Sequence, residues 1–275
     1  MISGTARKEL VDADWIARHV DDDTVRLVEV DVSPATYKKG HLPGAVLWNA
    51  YADLRDPSYR VVPAAQFEQV VSRSGISQDT TVVFYGYGAL LGFWLMKAYG
   101  HRDVRVLNGS REDWEKQGGA WDSNLTSYAP TSYRLASADS SVLASQKDLE
   151  AAIKDKNSVI LDVRSDAEYR GERFWPSGAT ADTGRAGHIR NAIHVPIDIV
   201  RSDGGAIKSE EELREIYVRA GVTPERRVIT YCTIGNRASL AWFILSEVLN
   251  YPNVAVYHGS YVEWGKLPDT PIDTN

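Results

Sequence analysis

The 275-residue chain repeats itself, and that bounds its fold before composition is weighed. Asp31-Val32 returns as Asp162-Val163, 131 residues on; Gly40-His41 returns as Gly187-His188, 147 on. Tyr85 returns as Tyr231, 146 on, and Trp94 as Trp242, 148 on. Gly109-Ser110 and Trp114 return as Gly259-Ser260 and Trp264, both 150 on. Six anchors in one order imply a duplicated domain, each copy long enough to bury its own core. Between the Asp-Val and Gly-His anchors the second copy gains sixteen residues, within Arg164 to Arg185. Between the Tyr and Trp anchors it gains two, in a loop that holds the chain's single cysteine, Cys232.

Each copy alternates strand-like and helix-like segments. In the first, residues 26–32, 81–85 and 104–107 are rich in β-branched and aromatic residues, and 64–74 and 90–99 have helical periodicity. In the second, 158–163 and 227–231 read as strands, with helices near 210–220 and 238–250. Such alternation predicts an α/β chain of two tandem domains, each a mainly parallel sheet with helices on both faces. The polar Ser/Thr/Ala-rich stretch between the copies reads as a linker over 126–141, leaving domains 1–125 and 142–275.

Cys232 follows the strand 228–231 and precedes Thr233-Ile234-Gly235-Asn236-Arg237, after which apolar residues fall at helical spacing. A cysteine between a strand end and a helix N-terminus faces backbone N–H groups and the positive end of the helix dipole. That setting favours the thiolate, the nucleophilic form. An isolated cysteine is more often plain core, but the loop glycine and the arginine five positions on favour a reactive one. In the first copy Gly86-Tyr87-Gly88-Ala89 fills the same place, without thiol or arginine, so that copy is expected to be silent.

Composition narrows the setting. The net charge of −6, from 31 Lys+Arg against 37 Asp+Glu, speaks against a general nucleic-acid surface. One cysteine cannot close an intramolecular disulfide, which fits a reducing compartment. The N-terminal MISGTARKELVDADW has no apolar signal core, and no apolar run approaches the ~18 residues of a membrane span. A cytoplasmic location without membrane or nucleic-acid partners is expected. The oligomeric state is left open.

Three stretches together resemble the rhodanese family of sulfurtransferases in its tandem-domain form, over essentially the whole chain. Tyr37 to Ala45 (YKKGHLPGA) resembles the family's N-terminal signature; Tyr257 to Trp264 (YHGSYVEW) resembles its C-terminal one. Cys232 to Arg237 resembles the active loop Cys-x-x-Gly-x-Arg. The resemblance implies a ping-pong transfer: the Cys232 thiolate takes the outer sulfur of thiosulfate, sulfite leaves, and a thiophilic acceptor such as cyanide or a thiol removes the sulfur from the persulfide. It implies that Arg237, Arg190 and Arg185 bind the donor anion, and that N–H groups of Thr233, Ile234, Gly235, Asn236 and Ala238 hold the persulfide. It calls for no cofactor and no metal. Thiosulfate-specific relatives carry Arg or Lys directly after the cysteine, where this chain has Thr233. Relatives using 3-mercaptopyruvate have Gly-Ser-Gly there, which Thr233-Ile234-Gly235 does not match either.

Rival readings fit less well. A cysteine phosphatase spaces Cys and Arg by five residues; here four intervene, enclosing a smaller anion. A non-catalytic rhodanese-like binding protein would not need Cys232. Gly86 to Gly92 mimics a dinucleotide loop, but Asn108 stands where an acidic strand end belongs. His41 and His188 recur in both copies and read as structural, while Trp175, in the insert, is expected to wall the pocket.

Overall fold

The structure, a computed structural model, describes residues 7–109, 111–202 and 206–274; Ser110, one half of a repeat anchor, lies outside them. Two compact units emerge. Of the described residues, the first takes those of 7–56 and 62–138, and the second those of 57–61 and 139–274.

The first unit carries, in chain order, β1 (Leu10–Val11), α1 (Ala13–His19), β2 (Val25–Asp31), α2 (Pro34–Lys39), β3 (Val46–Asn49), α3 (Ala64–Arg73), β4 (Thr81–Tyr85), α4 (Ala89–Ala98), β5 (Val104–Leu107) and α5 (Arg111–Lys116). Its strands are all parallel, in the order β1-β5-β4-β2-β3. Parallel strands covered on both faces bury nearly every residue, and β2 is buried from Val25 through Val30.

The second unit carries β6 (Leu143–Ala144), α6 (Gln146–Ala152), β7 (Ser158–Asp162), α7 (Asp166–Tyr169), β8 (His188–Ile189), β9 (Ile193–His194), α8 (Glu210–Arg219), β10 (Arg227–Tyr231), α9 (Asn236–Phe243), β11 (Val254–Tyr257), α10 (Ser260–Trp264) and β12 (Ile272–Asp273). Its main sheet is parallel in the order β6-β11-β10-β7-β9. Apart from β8, which pairs antiparallel with β12, this is the strand order of the first unit. The helix expected near 238–250 is α9 followed by a π-helical turn at Ile244–Val248. The recurring tryptophans are core residues: Trp94, Trp242 and Trp264 are all but fully buried, as is Trp114. Aromatic side chains of this size bury roughly 150–250 Å² each, which is why the anchors persist.

One expectation needs correction. The strand registers place Tyr85 opposite Glu29 and Tyr231 opposite Asp162. The partner of Asp162 is therefore Glu29, at offset 133, not Asp31, and the insert is fourteen residues rather than sixteen. Part of the stretch expected as a linker, 126–141, is hydrogen-bonded to the first unit. Tyr128 donates to the Gly44 carbonyl at 2.8 Å and lies under the Arg26 guanidinium. Thr131 N–H reaches Ser72 O at 3.0 Å, and buried Tyr133 bonds His101 at 2.7 Å. The polar groups of this stretch find their partners on the first unit.

Candidate active site

β10 is a central strand, hydrogen-bonded to β7 and β11, and it delivers Cys232 to its carboxyl end. Ligands of open parallel sheets bind at such ends. Cys232 is 1% exposed. The chain then turns back on the sulfur: Gly235 takes φ +98°, a left-handed conformation that suits glycine, and its N–H donates to Sγ at 3.1 Å. Asn236, Arg237 and Ala238 form the first turn of α9, whose N–H groups have no intrahelical acceptors. The loop is fixed from below by α10, where Tyr261 N–H bonds Cys232 O at 2.9 Å and Val262 N–H bonds Thr233 O at 3.0 Å. The YHGSYVEW segment thus acts on the cysteine through backbone contacts.

Glu168, on α7, is the residue that sequence reasoning missed. Its side chain is fully buried, and both oxygens are engaged. Arg237 donates Nη1 to Oε2 and Nη2 to Oε1, each at 2.8 Å. The Thr233 hydroxyl donates to Oε1 at 2.5 Å while accepting from Arg237 Nη2 at 2.7 Å. Ser165 adds its hydroxyl at 2.8 Å and its N–H at 3.2 Å to Oε2. Burial by itself would push this carboxyl up; the donors outweigh it, led by Arg237, and hold it at about 2. Burial would likewise lower Arg237, but Glu168 and the charge of Cys232 raise it above the ordinary guanidinium value. The signal in the sequence was Ser165-x-x-Glu168, a helix capping box, which α7 forms. Nothing local marked that Glu168 would also face the cysteine loop.

Beneath the loop lies a second buried pair. Arg164 and Asp162 are both wholly buried, with Arg164 Nη2 at 2.7 Å from Asp162 Oδ2 and at 2.7 Å from Gly187 O. Tyr231, next to Cys232, donates to Asp162 at 2.5 Å and accepts the Ile189 N–H at 3.1 Å. The Arg164 guanidinium stacks 3.8 Å from the centre of Tyr261. The first unit rebuilds this device from other residues. Tyr85 accepts the Leu42 N–H at 3.1 Å, and Arg111, from α5, stands 3.8 Å from Glu29, reaches the Gly40 carbonyl and stacks on Trp121. At Glu29 burial outweighs the Tyr85 hydrogen bond and the longer Arg111 ion pair and pushes the carboxyl up.

The expected site residues converge only in part. Thr233, Ile234, Gly235, Asn236, Arg237 and Ala238 all surround or follow Cys232. Arg237 does not present an open charge, because both its terminal nitrogens lie on Glu168. Arg190 is half exposed and donates Nε to Asp273 at 3.2 Å. Arg185 donates to the Thr270 hydroxyl at 2.6 Å and to the Leu267 carbonyl. Neither bonds an atom of the 232–237 loop. Trp175 is half-buried; it donates to Ala181 O at 2.9 Å and meets Phe174 and Tyr59 edge-on. His41 and His188 play the expected structural part, each bonding a carbonyl four or nineteen residues back, Tyr37 O and Tyr169 O, at 2.8 Å.

In the first unit the corresponding loop is shut. Gly86 takes φ +90°, and a Cβ there would stand 2.9 Å from Val30 O. Gly88 N–H is already bonded to that carbonyl at 2.8 Å.

Comparison with known proteins agrees with this duplicated architecture. The family model described as "Rhodanese-like domain" matches twice, at residues 12–117 and 145–267. The chain is 40% identical over 272 residues to the "Sulfur carrier protein TtuD" of Thermus thermophilus, covering 96% of this chain and 95% of that one. It is 37% identical over 281 residues to a Haloferax volcanii protein named "Putative thiosulfate sulfurtransferase", covering 98% of each. Among solved structures, the anaerobic ergothioneine biosynthesis enzyme from Chlorobium limicola, in complex with trimethyl histidine, superposes with a TM-score of 0.88. Its identity is 25%, covering 98% of this chain and 70% of that chain.

Proposed function

The chain belongs to the rhodanese-like family of sulfurtransferases, with two family domains in tandem, and on that premise we propose that its second domain moves sulfur from thiosulfate through a persulfide on Cys232. The Cys232 thiolate attacks the outer sulfur of thiosulfate. A new S–S bond forms to Sγ, the old S–S bond breaks, and its electron pair departs on sulfite. Cyanide or a thiol then attacks the outer persulfide sulfur and returns Cys232 as thiolate. No electron is gained or lost overall, and no cofactor is needed for the balance.

The observation that carries this reading is the hydrogen bond from Gly235 N–H to Cys232 Sγ at 3.1 Å, inside a loop whose following N–H groups open a helix. Donors fixed around a sulfur stabilise the negative charge of thiolate and persulfide alike, without reorganising during the step. Arg190, held at Nε alone, has terminal nitrogens left for the donor's sulfonate. The first domain, with Gly86 in place of the cysteine, performs no transfer.

A second donor, 3-mercaptopyruvate, is favoured by one feature: Glu168 neutralises Arg237, which weakens the pull on a dianion. Initial rates with the two donors decide between them. The persulfide itself is tested by intact-protein mass after thiosulfate treatment, where a gain of about 32 Da is expected in the wild type and none in Cys232→Ser. A serine variant that still transfers sulfur would overturn the assignment.

A further inference from the structure

An arginine at the end of a cysteine loop invites the reading that its charge greets the incoming anion. The contacts here say otherwise. Arg237 and Glu168 meet fork to fork, two parallel N–H···O bonds of 2.8 Å, and Glu168 is fully buried. In such a pair the planar guanidinium is oriented by its partner and cannot turn to a second anion without breaking it. Glu168 also takes the hydroxyl of Thr233, the residue directly after Cys232. One carboxylate therefore grips the loop at both ends, while Ser165 grips the carboxylate. The buried arginine near the loop, Arg164, is likewise paired, to Asp162.

We propose that Glu168 is a positioning residue for the Cys232 loop: it holds Thr233 and Arg237 in place and cancels the Arg237 charge, so that the donor anion is met by the loop N–H groups and not by Arg237. This rests on Cys232 being the nucleophile. It assigns a role to a residue outside the loop and reverses the one that the family resemblance implied for Arg237.

The test compares wild type, Glu168→Gln, Arg237→Gln and the Glu168→Gln/Arg237→Gln double variant. The rate of Cys232 alkylation by iodoacetamide at pH 7 needs no sulfur donor, so its outcome is separate from any error about thiosulfate. Arg237→Gln leaves an uncompensated carboxylate against the loop and is expected to slow alkylation about tenfold. The double variant restores neutrality and should return to within about threefold of wild type. With thiosulfate, Glu168→Gln frees the Arg237 charge and loosens the loop, so KM should fall about threefold or more while kcat falls too. A residue with a merely structural part would lower kcat without lowering KM. A double variant as slow as Arg237→Gln, or a raised KM in Glu168→Gln, would overturn the proposal. Should the single variants fail to fold, Arg237→Lys carries the comparison: it keeps the charge on Glu168, and thiosulfate KM should change less than about twofold, whereas a donor-binding Arg237 would raise it about tenfold.

Discussion

The Glu168 carboxyl makes stability depend on acid in a way that can be isolated. Its value of about 2 in the folded chain lies below the ordinary 4.5. A depressed carboxylate contributes stability that is complete above the unfolded value and is lost as pH falls through the folded one. Each pH unit of that gap is worth about 1.4 kcal/mol, so the carboxylate contributes about 3 kcal/mol at neutral pH, of which about 2 kcal/mol is gone by pH 3. The side chain is fully buried, so solvent screening takes little from this figure. The perturbation is Glu168→Gln, which keeps the shape and removes the titration. Hydrogen exchange of the peptide spanning 227–243 reports the opening free energy of β10 and α9 without requiring the two units to unfold together. Wild type should exceed Glu168→Gln by about 3 kcal/mol at pH 7 and by about 1 kcal/mol at pH 3, other carboxylates cancelling in the difference. A gap that stays constant between pH 7 and pH 3 would refute the reasoning, since no titrating group would then separate the two proteins.

Other consequences follow from the same geometry. In a Cys232→Ser background, Gly86→Cys should gain no sulfur from thiosulfate, and the left-handed backbone there should cost about 1–2 kcal/mol on top of the contact with Val30 O; a stoichiometric gain in intact mass would mean the first loop still works. Tyr231→Phe removes the hydroxyl that links Asp162 to the Ile189 N–H, and should cost about 2–3 kcal/mol by urea unfolding, since a buried charged acceptor and a donor both lose a partner. A loss under about 0.5 kcal/mol would show that water replaces it. Arg190→Ala should lower kcat/KM for thiosulfate about tenfold, a single charge-assisted contact. Unchanged kinetics would remove Arg190 from the donor site.

Much of this architecture is written locally. The β-branched runs around 81–85 and 227–231 become the central strands β4 and β10, because parallel strands buried on both faces demand apolar residues throughout. The anchors Trp94, Trp114, Trp242 and Trp264 end in the cores, because their bulk defines packing. The cysteine loop was legible because its own residues are contiguous, from Cys232 to Ala238. The duplication itself was legible, and the matching strand orders carry it further than the anchors alone.

What the sequence could not display were side chains that meet from distant elements. Glu168 is 64 residues before Cys232 and is marked locally only as a helix cap, yet in the fold it ties Thr233 to Arg237. Arg111, on α5, and Arg164, in the turn between β7 and α7, look unrelated in sequence, yet they reach the equivalent carbonyls of Gly40 and Gly187. The alignment of Asp31 with Asp162 failed for the same reason, since strand register, and not residue identity, decides which carboxylate lies opposite the tyrosine. The sequence alone determined a duplicated α/β chain and a thiol at a strand end, because strand and helix patterns and a six-residue loop are short-range properties of the backbone. Only the tertiary structure decided whether the loop's arginine is free or neutralised, because that depends on which buried charge the packing brings within hydrogen-bond distance, and a buried charge without such a partner would not remain ionised.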